Sequence, residues 1–150
     1  MAPPIEFELD ELYRDLILDH YRQPRNHRAL AHPTCSTDGE NPLCGDQVTI
    51  GLALAQDRIT DIGFTGRGCS ISQASTSMMT ECVKGKTVAE ARDVIRQFKA
   101  MMLEGAAPAP VLGDLEALQG VRKFPVRVKC AALGWNVLEQ LLNTNHGDAR

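Results

Sequence analysis

The sequence has no C-x-x-C pair, although it carries five cysteines at positions 35, 44, 69, 82 and 130. That absence removes the main signature of zinc ribbons, thioredoxin-type redox motifs and c-type haem attachment. H-E-x-x-H is missing too, and no two of His20, His27, His32 and His146 stand four residues apart, so a helical histidine metal pair is excluded. The glycines between Gly63 and Gly68 are not followed by the Lys-Ser/Thr of a phosphate-binding loop, and no dinucleotide fingerprint leads from a strand into a helix. No apolar run approaches the roughly 20 residues of a membrane span. Met1 to Asp10 is acidic and lacks the apolar core of a signal peptide, so a cytoplasmic protein with no membrane association is expected. Basic residues are not in excess: 16 Lys and Arg face 19 Asp and Glu, a net charge of −3. That balance argues against a chain built to coat nucleic acid.

What is present is ordinary for a globular chain. Of 150 residues, 43% are hydrophobic and 23% charged, which suits one domain over residues 1–150 and excludes disorder as the main state. The core is expected over about residues 8–143, with loose tails at either end. Leu9, Leu12, Tyr13, Leu16 and Ile17 recur at helical spacing ahead of Pro24. A short edge strand is expected near Thr34–Thr37. Alternation of Val48, Ile50, Leu52 and Leu54 predicts a strand over 47–55, and Gln56-Asp57 turns it into a returning strand over 58–65. Gly63, Gly66 and Gly68 then speak against a long regular element.

A helical pattern resumes at Ser70 (Ile71, Ala74, Ser75, Met78, Met79, Cys82). Thr87 and Glu90 form a capping box ahead of Val88, Ala91, Val94, Ile95, Phe98, Met101 and Met102, and Gly105 stops that helix. A short helix over 114–119, an extended basic segment over 124–129 and a C-terminal helix through Leu133, Val137, Leu138, Leu141 and Leu142 complete the chain. The order predicts an α+β fold, a small antiparallel sheet of about three strands covered on one face by helices.

Three cysteines stand where chemistry is easier than core packing. Cys44 lies in the turn Asn41-Pro42-Leu43-Cys44-Gly45-Asp46. Cys69 ends Gly66-Arg67-Gly68-Cys69 and opens a predicted helix, and Cys130 ends Arg127-Val128-Lys129 and opens another. Unpaired N–H groups at a helix start favour a thiolate, the form that attacks electrophiles and binds metals. With Asp46, three thiolates would fill a tetrahedral zinc shell. A carboxylate binds zinc less tightly than thiolate, which would make the site less inert than a four-cysteine one.

Spacings of 69 − 44 = 25 and 130 − 69 = 61 residues do not decide between this site and the plainer reading of small buried thiols. Cys82 reads as core, and nothing favours a role for Cys35. The histidines read as structural or solvated, and a Cys–His dyad has no specific support. Arg122, Lys123, Arg127 and Lys129 fit either a solvated face or a surface that holds negative charge near Cys130.

The longer runs resemble a known family. Asp19-His20-Tyr21-Arg22-Gln23-Pro24-Arg25-Asn26, the Asn41–Asp46 turn, Gly66-Arg67-Gly68-Cys69-Ser70-Ile71-Ser72, Ala74-Ser75-Thr76-Ser77-Met78-Met79, Leu115–Val121 and Lys123-Phe124-Pro125-Val126-Arg127-Val128-Lys129-Cys130-Ala131 are similar to the iron–sulfur assembly scaffolds of the IscU/NifU N-terminal superfamily. The match runs from Leu12 to about Leu142. Lys129 stands where IscU-type scaffolds have histidine, and extra sequence occupies about 108–122; both features are similar to the SufU branch. The resemblance implies the SufE/NifU (IscU-like) fold and places the ligands on Cys44, Asp46, Cys69 and Cys130.

It further implies a zinc-dependent acceptor of persulfide sulfur from a cysteine desulfurase, a SufS-like pyridoxal-phosphate enzyme, with downstream Suf assembly proteins or apoproteins as recipients. In that scheme Cys44 is the acceptor, freed from zinc when the desulfurase docks, and Arg127 supports it. The protein is then a sulfurtransferase-like acceptor rather than a stand-alone enzyme. The rival is a scaffold that holds iron or a nascent [2Fe–2S] cluster on the same residues and passes it on. A purely structural zinc domain is disfavoured by the carboxylate ligand and the glycine-loosened loops.

Overall fold

The structure, a computed structural model, describes residues 4–148, with side chains over 11–144. Helix α1 spans Pro4–Arg22, strands β1, β2 and β3 span Cys35–Asn41, Asp46–Ala55 and Arg58–Arg67, and α2 and α3 span Ser70–Val83 and Val88–Glu104. A 3₁₀ segment, Pro110–Lys123, leads into α4, Pro125–Asp148. The expected tails before residue 8 and beyond Asn143 fall partly outside the described residues. Among the described residues no helix is long and apolar enough to cross a membrane.

The three strands form one antiparallel sheet in the order β1-β2-β3. Alternation sets its faces: Val48, Ile50 and Leu52 of β2 and Ile62 and Phe64 of β3 are buried. Gln56 and Asp57 both take left-handed φ, 53° and 64°, as a two-residue hairpin turn requires. The helices cover one face, α4 against β1 and β2 and α2 against β3. The fold is the expected α+β arrangement.

Two helices carry the core towards the site. In α3, Thr87 Oγ1 accepts the Glu90 N–H at 3.1 Å and Glu90 Oε1 accepts the Thr87 N–H at 2.9 Å, completing the capping box. Gly105 at φ 74° ends the helix. In α4, Cys130, Ala131, Trp135, Leu138 and Leu142 are fully buried. Trp135 stacks on Phe98 with centroids 4.1 Å apart and donates Nε1–H to Ser75 Oγ at 3.0 Å. Ser75 donates in turn to the Ala131 carbonyl at 2.7 Å. This polar pair fixes α4 against α2, whose N-terminus is capped by Cys69.

Five local expectations need correction. Residues 124–129 are not extended: α4 starts at Pro125, where a missing N–H costs nothing and the fixed φ suits the first helical turn. Cys130 therefore lies in the second turn of α4 rather than at its start. The glycines do not end β3, which runs through Gly63 and Gly66 to Arg67. Gly63 lets the Arg28 carbonyl lie against the strand, and Gly66, at φ 146°, lets β3 approach the Gln47 and Val48 backbone. β1 is longer than expected and reaches Asn41, and the short helix is a 3₁₀ run over 110–123 broken at Gly113.

Candidate metal centre

The β1–β2 hairpin presents Cys44. Asn41 and Asp46 pair at the ends of the two strands, and the four residues between them form the turn, with Gly45 at φ 70°. Asn41 shapes that turn from within. Its carbonyl accepts the Cys44 N–H at 3.2 Å and its Oδ1 accepts the Leu43 N–H at 3.3 Å, an Asx-type turn. Its Nδ2 donates to Cys130 Sγ at 3.7 Å. Cys44 is half-buried, while Leu43 beside it is 68% exposed.

Asp46 opens β2 and is 1% exposed. Its Oδ1 accepts the Cys69 N–H at 2.9 Å, and its Oδ2 lies 3.9 Å from Cys69 Sγ. The carboxylate thus sits at the N-terminus of α2, where unpaired N–H groups attract negative charge. Gly68 makes this possible, because a Cβ there would overlap Asp46 Oδ1 and Ser72 Oγ.

Cys130 enters from α4. Its thiol donates to Cys44 Sγ at 2.9 Å and reaches the Val126 carbonyl at 3.6 Å. Burial pushes the Cys130 thiol well above its ordinary range, helped by its bond to Cys44 and by the Asp46 carboxylate nearby. Ligand atoms of Cys44, Asp46 and Cys130 all lie within 4.8 Å of one another. Cys69 stands at the rim of this group, within reach of Asp46 but outside the tight trio. Arg127, one turn before Cys130, has its guanidinium held more firmly protonated by Cys69 first and then by Cys130.

The donor set fits a soft divalent metal. Two thiols and a buried carboxylate converge, a third thiol is adjacent, and among the described residues no lysine or arginine pairs with Asp46. A carboxylate buried among thiols without a cation is costly, and a bound cation offsets that cost. Sulfur and oxygen donors in this number suit zinc.

The other sequence candidates lie elsewhere. His20 is buried and its Nδ1 meets Ser77 Oγ at 2.8 Å; burial, then the charge of Arg25, lowers its pKa. His27 leans on Phe64, His32 is exposed, and the His146 side chain lies outside the described residues. Cys82 is half-buried rather than deep in the core and donates to the Val111 carbonyl at 3.3 Å. Cys35 opens β1, half-buried, its thiol pushed up by burial. Lys129 is exposed. Asn41 is the residue that sequence reasoning missed. Its signal was there, since Asn two residues ahead of a turn amide is the Asx-turn pattern.

Beside Cys69 and Arg127 a groove of about 650 Å³ opens between α1, the 3₁₀ segment and Phe124. Phe124 in its wall is 59% exposed. Of the candidate ligands Cys69 lines this groove, so the rim of the centre borders a surface with apolar side chains.

Known proteins are similar to this chain in sequence and fold. The family pattern described as NifU-like N terminal domain matches residues 12–139. The zinc-dependent sulfurtransferase SufU of Bacillus subtilis is 46% identical over 133 residues, covering 88% of this chain and 90% of that protein. The iron–sulfur cluster assembly scaffold protein IscU of Streptococcus pyogenes is 40% identical over 136 residues, covering 90% and 85%. A crystal structure of a SUF-system scaffold protein from Fervidobacterium islandicum superposes with a TM-score of 0.82 at 37% identity, covering 85% of this chain and 94% of that one. With the pattern spanning both the hairpin and α4, the chain belongs to the NifU-like N-terminal domain family.

Proposed function

We propose that the protein accepts persulfide sulfur from a cysteine desulfurase on Cys44, in iron–sulfur cluster assembly. The observation that carries this reading is the position of Cys44: half-exposed on a hairpin turn, yet in contact with Cys130 and within 4.8 Å of the Asp46 carboxylate. The zinc-dependent sulfurtransferase from Bacillus subtilis supports it at 46% identity. Cys44, Asp46, Cys69 and Cys130 would hold zinc, which keeps the thiols deprotonated and in register when bound.

The chain's own residues supply the rest. The Asn41 side chain holds the turn that carries the half-exposed Cys44. The Cys44 thiolate attacks the terminal sulfur of the incoming persulfide, and the desulfurase cysteine leaves as thiolate; thiol–persulfide exchange needs a thiolate attacker and access. Arg127 supplies positive charge beside Cys69 and Cys130. The partner is read as a pyridoxal-phosphate desulfurase of SufS type, with Suf proteins or apoproteins downstream. The cytoplasm, where thiols stay reduced, suits this chemistry.

The scaffold reading, in which the same donors carry a [2Fe–2S] cluster as cargo, draws on the similarity to the Streptococcus pyogenes scaffold. Lys129 weighs against it, because a protonated lysine is no ligand. Desulfurase turnover with and without the zinc-loaded protein, and with Cys44→Ala, separates the two. A rise that needs Cys44 supports sulfur acceptance. No rise from the wild-type protein would overturn it in favour of cargo binding.

A further inference from the structure

Cys44 and Cys130 differ in a way that ligation alone does not require. Cys44 sits on a turn and is half-exposed, whereas Cys130 sits on α4 and is fully buried. Their sulfurs are 2.9 Å apart, closer than any other thiol pair described in the chain, and the Cys130 S–H points at Cys44 Sγ. Asn41 Nδ2 and the Val126 carbonyl hold Cys130 in place. One thiol meets the outside and the other waits behind it, in contact.

We propose that Cys130 is the resolving thiol that frees the accepted sulfur as sulfide. The inference rests on the reading of Cys44 as acceptor. Cys130 Sγ attacks the inner sulfur of the Cys44 persulfide. The Cys130–Cys44 S–S bond forms and the bond between Cys44 Sγ and the terminal sulfur breaks. The terminal sulfur takes the electron pair and leaves as hydrosulfide, with its proton taken from Cys130 or from solvent. The sulfane sulfur is reduced by two electrons and the two thiols are oxidised to a disulfide, so the step itself needs no outside reductant.

A dithiol reductant returns the pair to thiols for the next turnover. Contact geometry gives the internal thiol a high effective concentration over any thiol from solution. Burial keeps Cys130 from meeting the donor persulfide directly, so the order of events is fixed: acceptance outside, release inside. Cys69 lies outside the tight trio, within reach of Asp46, and takes no part.

The test loads the full-length, zinc-loaded protein in two ways without reductant: with a cysteine desulfurase and cysteine, and with inorganic polysulfide followed by desalting. Sulfide release is timed, and Cys44 is mapped by mass spectrometry. The wild-type protein is expected to release one sulfide per chain and end as a Cys44–Cys130 disulfide. Cys130→Ser is expected to keep the persulfide on Cys44, with release slower by roughly two orders of magnitude or more.

Cys82→Ser, which removes a thiol outside the centre, is expected to release sulfide as the wild type does, and zinc content measured beside release separates resolution from metal loss. A wild-type persulfide that persists without a disulfide, or equal release from Cys130→Ser, overturns the proposal. A disulfide formed after polysulfide but not after the desulfurase upholds this step and overturns the acceptor function.

Discussion

Asn41 joins the turn that carries Cys44 to the helix that carries Cys130: its Oδ1 accepts the Leu43 N–H at 3.3 Å while its Nδ2 donates to Cys130 Sγ at 3.7 Å. One buried amide therefore sets the distance between two sulfurs 86 residues apart. Asn41→Ala should loosen the turn and lower zinc affinity, and it should cost about 1–2 kcal/mol of stability for the two lost bonds. Asn41→Asp keeps the acceptor for Leu43 and loses the donor to Cys130. Chelator competition should rank the wild type above Asn41→Asp, and Asn41→Asp above Asn41→Ala. Equal affinities would show that the amide shapes the turn without shaping the centre.

Gly68 is a second support, and it acts by absence. Any Cβ there meets the Asp46 carboxylate and Ser72 Oγ, both buried. Gly68→Ala should force the carboxylate off the Cys69 N–H and cost about 1–3 kcal/mol, the range for overpacking. Because Asp46 moves, metal binding should weaken along with folding. Denaturant midpoints with and without zinc check this: the gap between the two should shrink in the variant. An unchanged gap would mean that the strain is absorbed without disturbing Asp46.

Much of this fold was legible in the chain. β2 showed itself through Val48, Ile50 and Leu52, and α3 through its capping box and Gly105. The start of α4 was not legible, because Val126 and Val128 alternate with Arg127 and Lys129 as a strand would. The helix prevails because Pro125 suits a first turn and because Val128, Ala131 and Trp135, at i, i+3 and i+7, are buried together. β3 misled for a different reason. Its glycines mark close backbone approaches, to Arg28 and Gln47, that only the folded chain creates.

The site divides in the same way. Cys44, Asp46 and Cys69 announced themselves by local setting, a turn and a helix start. That the Cys130 thiol reaches Cys44 depends on how α4 lies across β1 and β2, a long-range relation with no local pattern. Asn41 was missed because its side-chain donor has a purpose only once Cys130 has arrived.

His20 offers a prediction from electrostatics. Burial first, and the Arg25 charge second, lower its pKa below the ordinary 6.5. The folded state therefore binds the proton less readily than the unfolded chain. Stability from the neutral ring is fully present above pH 6.5 and is lost as the pH falls through the lowered folded value. His20→Gln should be less stable at neutral pH, having lost the ring's contact with Ser77. The difference from the wild type should narrow as the pH drops below 6.5. Urea midpoints for both proteins across that range test the sign, and a difference that widens in acid would refute it.

Asp46 has two duties that substitution can separate. Its Oδ1 accepts the Cys69 N–H at 2.9 Å, tying β2 to the start of α2, and its charge faces the thiols of Cys44 and Cys130. Asp46→Asn keeps an oxygen for the amide and removes the charge. Asp46→Ala removes both and leaves a donor at the helix start without its partner, at a cost of about 1–3 kcal/mol. The asparagine variant should fold nearly as well as the wild type but bind zinc more weakly, since a neutral carboxamide is a poorer ligand than a carboxylate. The alanine variant should be impaired in both respects. If Asp46→Asn bound zinc as the wild type does, the carboxylate would be a structural clasp for α2 and the metal would rest on the thiols alone.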